Sequence, residues 1–388
     1  MSSTTDTSSA TDTSSATGTS SATDTGTAAP SSGDRPSLLR AAQDTPTSLW
    51  NDSADPAELA ASIAFGAVGA TCNPVIAYTV IKNAIDTWGP RLREMADEHP
   101  TAGESELGWL AVEELSVQAA TLLEPAFRAS GGRDGRLSMQ TDPRLHRDAA
   151  ALVEQAVHFS GLADNIIVKI PATKVGIEAM EEATYRGVSI NATVSFTVAQ
   201  ALAVGAAIER GLDRRTADGL ENHEFGSVVT IMGGRLDDWL KTVAKRDHVL
   251  IEPGHLEWAG VAALKKAHHE FVARGYRSRI LSAAFRNHLQ WSELVGGDLV
   301  VSPPFQWQVD INANAVPAEH RIDVPVDQDV LDALSEKLPE EWHRAYDVDG
   351  MTIDEFERFG ACVLTLRQFL EADAQLDSLV RDVIVPAV

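Results

Sequence analysis

The chain is 388 residues long and short of several residue types, and each shortage excludes something. Cysteine occurs only at Cys72 and Cys362, too few and too far apart for a disulfide framework or a thiolate zinc site. Basic residues are scarce: 32 Lys and Arg stand against 56 Asp and Glu, a formal charge of -24. A surface that negative repels phosphodiester backbones and anionic lipid, which argues against nucleic acid and membranes as partners. No uninterrupted apolar run reaches the ~18 residues needed to cross a bilayer. The N-terminus has neither the basic start nor the apolar core of a secretion signal, so a cytoplasmic location is expected. What remains is an ordinary globular composition, 44% apolar and 23% charged, able to bury a core.

Residues 1–35 stand apart. Positions 1–33 hold ten Ser and ten Thr, no Lys or Arg, and a loose six-residue repeat (TDTSSA twice, then TGTSSA and TDTGTA). No unit of the repeat carries a large apolar side chain, so a disordered tail is expected rather than a solenoid.

Over 36–388, short apolar or β-branched runs alternate with stretches of helical periodicity, the pattern of β/α units around a parallel sheet. Eight strand candidates can be counted: TSLW ending near Asp52, GAVGAT before Asn73, GRLSMQ ending at Gln140, NIIVKI with Lys169, VSINATV around Asn191, SVVTIM through Thr230, SRILSA before Phe285, and DLVVSP ending at Ser302. Eight is the number a closed (β/α)8 TIM-type barrel requires. Helices are expected over 174–186, 197–210 and about 257–274; 211–226 and 241–256 read as surface insertions. A C-terminal amphipathic helix from about 353 to 385 carries Phe356, Phe359, Leu364, Leu366, Phe369 and Leu376 for packing on the barrel.

The strand ends carry the chemistry. Lys169 sits among Ile and Val, where it must either snorkel to solvent or lose its hydration. A desolvated lysine is held toward the neutral, nucleophilic amine. Asp52, Thr71, Asn73, Gln140, Asn191, Thr193 and Thr230 lie at or just after the other runs, and in a parallel barrel those ends converge on one mouth. Singly, Asp52 and Asn73 also suit helix caps, and Thr193 suits a strand. Arg235 and Arg286 follow the sixth and seventh runs beside small residues, a place suited to an anion such as phosphate; Arg235 could instead pair with Asp237 or Asp238. His268, His269 and Glu270 are consecutive and cannot converge on one metal ion from a helix. No dinucleotide fingerprint, nucleophile elbow or zinc-protease motif is present.

The block from Asn165 to Gln200, NIIVKIPATKVGIEAMEEATYRGVSINATVSFTVAQ, resembles the core of the transaldolases: K-x-P-A-T, a helix, then N-x-T with an aromatic three residues on. SLWND, GATCNP, LSMQTDPRL, GGRLDDW, SAAFRN and ELVGGDLVVSPP resemble further segments of that family in the same order. The resemblance implies transfer of a three-carbon dihydroxyacetone unit between phosphorylated ketose and aldose through a Schiff base on Lys169. It assigns Asp52 to the proton on the carbon-4 hydroxyl and Thr193 to a catalytic water. It gives Thr71, Asn73, Asn191 and Thr230 to the substrate hydroxyls, and Arg235 and Arg286 to the phosphate. No cofactor or metal is implied; the partners are sugar phosphates, with a homodimer the one protein assembly in view. The chain departs from the family at Gln140, where transaldolases carry an acid–base glutamate. The related fructose 6-phosphate aldolases also have glutamine there but rely on a tyrosine where this chain has Met232. Two alternatives follow: an aldolase releasing free dihydroxyacetone, and a catalytically weakened homologue that only binds sugar phosphates.

Overall fold

The computed structural model describes residues 35–222 and 226–386. The expected tail, residues 1–35, lies outside them apart from Arg35.

Eight strands form in the places read from the sequence: β1 Ser48–Asn51, β2 Ala67–Cys72, β3 Arg136–Gln140, β4 Ile166–Pro171, β5 Ile190–Thr193, β6 Val228–Ile231, β7 Arg279–Ser282 and β8 Val300–Val301. Each pairs in parallel with the next, and β8 closes on β1. The fold is a single (β/α)8 barrel. Parallel neighbours need a crossover, and helices on the outer face bury that side of every strand. This is why β4 reads as a nearly unbroken apolar run, with all six of its residues buried.

Alternate residues on a strand face opposite sides. Trp50, Ile167, Val228, Leu281 and Val300 pack as an interior plug. Room for the Trp50 indole depends on Gly69, where an added Cβ would lie 2.4 Å from the ring. Below the plug, Arg279 donates to Ser48 Oγ at 2.9 Å and pairs with Asp134 at 3.2 Å, filling the N-terminal end of the barrel. The other end is left to polar side chains.

Several local expectations are corrected. The helix expected over 197–210 runs from Val198 to Ala217, and the helix Gly233–Arg246 takes up the start of the second expected insertion. Much of 211–226 and 241–256 is therefore helix; 223–225 lie outside the described residues. The 257–274 helix begins at Ala259, after a short turn at Pro253–Leu256. The segment after Pro304 holds three further helices, Phe305–Ala313, Gln328–Lys337 and Pro339–Tyr346. The C-terminal element is a 3-10 turn, Ile353–Arg358, followed by the helix Gly360–Ile384. Phe359 between them is extended, which resets the helical phase. The buried stripe therefore runs through Thr365, Phe369, Asp373, Leu376 and Val380, while Leu364 is exposed.

Closure at the two-residue β8 relies on the buried amide of Gln308. Its Nε2 donates to Asn51 Oδ1 at 2.8 Å and to the Pro303 carbonyl at 3.0 Å, and its Oε1 accepts from Ser62 at 2.5 Å. Gln308→Leu should lower unfolding free energy in urea by about 2–4 kcal/mol, because Asn51 Oδ1 and the Ser62 hydroxyl lose their partner, while the Pro303 carbonyl keeps the Asp52 N–H. A loss below about 0.5 kcal/mol would show that closure does not need this amide.

Candidate active site

Register brings the lysine and its neighbours together. Gln140 pairs with Lys169 across β3 and β4, and Lys169 with Asn191 across β4 and β5, so three side chains lie abreast on one face. Thr193 shares that face with Asn191. Interior contacts confirm its direction: Asn191 Nδ2 donates to Ser138 Oγ, and Thr230 Oγ1 donates to Asn191 Oδ1, both at 2.8 Å. Thr71 Oγ1 donates to Asp52 Oδ1 at 2.5 Å.

Lys169 is 4% exposed and lies among these groups. Burial is the main influence on its amine and lowers its pKa; the Asp52 carboxylate and Cys72 oppose this, and Arg235 adds to it. The balance favours the neutral amine over the ammonium relative to an exposed lysine. The Cys72 thiol is itself pushed up to about 12 by burial, so it stays protonated at neutral pH.

The two arginines differ. Arg235 donates to Thr365 Oγ1 at 3.1 Å and lies over the Phe369 ring, 5.7 Å from its centroid. It pairs with neither Asp237 nor Asp238. Burial and the nearby Arg286 lower its pKa, so two like charges face one another at the mouth. That arrangement suits an anion. Arg286 is held by Asp238 through Nε and Nη2, each at 2.8 Å. Asp237 is buried, accepting from Gly260 N–H and from Gln290 Nε2, both at 2.7 Å, and burial pushes its carboxyl well above the usual range. Gln290 Oε1 in turn accepts the Arg286 N–H at 2.6 Å, fixing the backbone beneath the guanidinium. The glycine beside Arg235 has a backbone cause: a Cβ at Gly234 would lie 2.0 Å from the Ala284 carbonyl.

Asn73 caps the helix Pro74–Asn83, its Oδ1 accepting from Val75 and Ile76 N–H; only its amide NH2 remains for a ligand. Gln140 Oε1, Thr193 Oγ1 and Ser195 Oγ are buried without hydrogen-bond partners, on or beside the strand ends that line the mouth. Ser195 follows Val194, whose φ of 51 is strained for a β-branched residue. Ser138, Ser195, Thr365 and Asp373 were not read from the sequence as site residues. Parity with Gln140 could have found Ser138; nothing in the sequence marks the other three. His269 lies 3.6 Å from Asp323, while its neighbour His268 is buried, the two ring centroids 5.8 Å apart.

A family model described as Transaldolase/Fructose-6-phosphate aldolase matches residues 49–349. The chain belongs to this family. Transaldolase 1 of Streptomyces coelicolor is 34% identical over 227 residues, 57% of this chain and 58% of the relative. The transaldolase of Saccharopolyspora erythraea is 32% identical over 251 residues, 61% and 64% of the two chains. That of Thiobacillus denitrificans is 33% identical over 175 residues, 44% and 48%. The chain thus spans roughly half to just under two thirds of these transaldolases. Among the described residues no helix is long and apolar enough to cross a membrane.

Two outcomes are expected. Asp238→Asn should free Arg286 and tighten inorganic phosphate binding about two- to fivefold by calorimetry at low salt, the scale of an exposed ion pair; unchanged affinity would place the anion elsewhere. Asp373 on the C-terminal helix has its carboxyl raised to about 7, by burial first and then by Asp142. Between the unfolded value near 4 and this one, the folded state holds a proton that the unfolded state has lost, so stability falls as pH rises through that window. Asp373→Asn should gain about 1–3 kcal/mol relative to the parent between pH 4 and pH 8 in urea unfolding. A constant difference would show an ordinary carboxyl.

Proposed function

We propose that this protein transfers a three-carbon dihydroxyacetone unit from a phosphorylated ketose to an aldose phosphate through a Schiff base on Lys169, in the cytoplasm and as part of pentose phosphate chemistry. The observation that carries the reading is a buried lysine, its amine biased toward neutrality, sharing one barrel mouth with Asp52 and Arg235 in a chain of this family.

Lys169 Nζ adds to the ketone carbon, and loss of water from the carbinolamine gives the cationic imine. Asp52 takes the proton from the carbon-4 hydroxyl. The bond between carbons 3 and 4 breaks, and its electrons pass to the imine to give an enamine. The aldose phosphate leaves, and an acceptor aldehyde takes up the enamine carbon by the reverse sequence. Asn191, Thr230, Thr71 and the Asn73 amide hold the hydroxyls of the retained unit. The unpaired Thr193 hydroxyl suits the water of the carbinolamine steps. Arg235 and Arg286 hold the phosphate; for Arg286 this means sharing or displacing Asp238.

A second reading is favoured by Gln140, whose amide cannot carry a proton: cleavage to free dihydroxyacetone without transfer. Product formed in the absence of an acceptor separates the two. For the leading reading, the coupled assay from fructose 6-phosphate to erythrose 4-phosphate should show turnover that Lys169→Ala reduces at least about 1,000-fold, since the covalent route is lost. Equal rates for parent and variant would overturn it.

A further inference from the structure

Resting on the Schiff-base reading of the site, one question is what replaces the carboxylate missing at position 140. Gln140 is 4% exposed, and its Oε1 has no hydrogen-bond partner. It lines a small cavity with Cys72, Asn73, Trp109, Asp373 and Leu376. The cavity measures about 10 Å3, on the order of the space that one water needs. The Trp109 Nε1–H, also buried, faces the Asp373 carboxyl without completing a hydrogen bond to it. Residues that carry a donor, an acceptor and a carboxyl therefore line one small space, between the ends of β2 and β3 and the C-terminal helix.

We propose that Asp373, acting through a water held in this cavity, carries the proton that Gln140 cannot.

The charges around Asp373 fit that task. Arg144 lies 3.0 Å from Asp373, 2.8 Å from Asp142 and 3.3 Å from Asp377. One cation among three carboxyls leaves an excess of negative charge, which favours one retained proton. Burial does most to raise Asp373, to about 7; Asp142 and Asp377 act the same way, while Arg144 and the Trp109 indole oppose them. Glu104 and Arg381 reach the cluster through Asp377. A group poised near neutrality is the kind that transfers protons well in both directions.

The step balances. Protonated Asp373 gives its proton to the cavity water, which passes one of its own to the hydroxyl of the carbinolamine on Lys169. The C–O bond breaks, water leaves, the nitrogen lone pair closes the C=N bond, and Asp373 remains ionised beside Arg144. When water adds back to the imine, the carboxylate recovers the proton.

The test is the pH profile of kcat for transfer in the parent, in Asp373→Asn, in Asp373→Asn with Gln140→Glu, and in Trp109→Phe. In the parent, kcat should fall above about pH 7 as Asp373 ionises. Asp373→Asn should lower kcat about 100-fold, leave KM within about twofold, and abolish that limb. Gln140→Glu should then recover at least about tenfold, because it returns a carboxyl to the site. Trp109→Phe removes a donor that favours the carboxylate, so the limb should move to higher pH. Parent-like kcat and profile in Asp373→Asn would overturn the relay; so would a slower rate with the limb still in place, the mark of a structural role. If Asp373→Asn does not fold, an unmoved limb in Trp109→Phe overturns it. A parent that transfers nothing removes the underlying reading instead, which distinguishes the two failures.

Discussion

The desolvation of Lys169 is the constraint on which the rest of this molecule turns. A lysine amine in water holds its proton up to a pH near 10, and an ammonium is no nucleophile. Burial in β4 lowers that threshold, and the surroundings keep it from being restored. The nearest strand neighbours, Gln140 and Asn191, are uncharged amides, and Asp52 is engaged by Thr71. A carboxylate in direct contact with Nζ would have stabilised the ammonium, and none of the described ion pairs includes Lys169. The barrel supplies this environment through strand parity alone, since one face of each short strand must point inward.

Charge is distributed to match. A chain with net charge -24 nevertheless gathers Arg235 and Arg286 at one mouth. The acidic exterior discourages polyanions, while the mouth offers small anions a local welcome. The C-terminal helix contributes to both the arginine pair at the mouth and the acidic cluster beside it, through Thr365 and Phe369 at Arg235 and through Asp373 at Arg144. Its role is therefore wider than packing, although its buried stripe does pack it on the barrel.

Much of this was legible in the sequence, and the limits of legibility have physical causes. The eight strands showed because a parallel sheet buried on both faces leaves dense β-branched runs. Lys169, Asn191 and Thr193 showed because a polar residue inside such a run has few places to go. Asn73 was legible in both of its senses, since capping uses its carbonyl and leaves its amide. Phe305–Ala313 was missed because its apolar positions form no clean stripe, Gln328–Lys337 and Pro339–Tyr346 because each is short, and Glu104–Ala129 because Gly108 and Ser116 stand in its buried stripe. The pairing of Arg286 rather than Arg235 with Asp238 could not be read, because it depends on how two loops meet in space. Asp373 was invisible for the same reason: its partners other than Asp377 lie more than 200 residues away in sequence, and nothing in QFLEADAQL sets it apart from a solvated acid.

The most direct test of the account is chemical capture of the lysine. The parent protein would be incubated with fructose 6-phosphate and sodium borohydride, digested, and mapped by mass spectrometry. The account predicts a single reduced adduct of dihydroxyacetone mass on Lys169, formed readily at neutral pH. An unmodified Lys169, or label spread over exposed lysines instead, would contradict it.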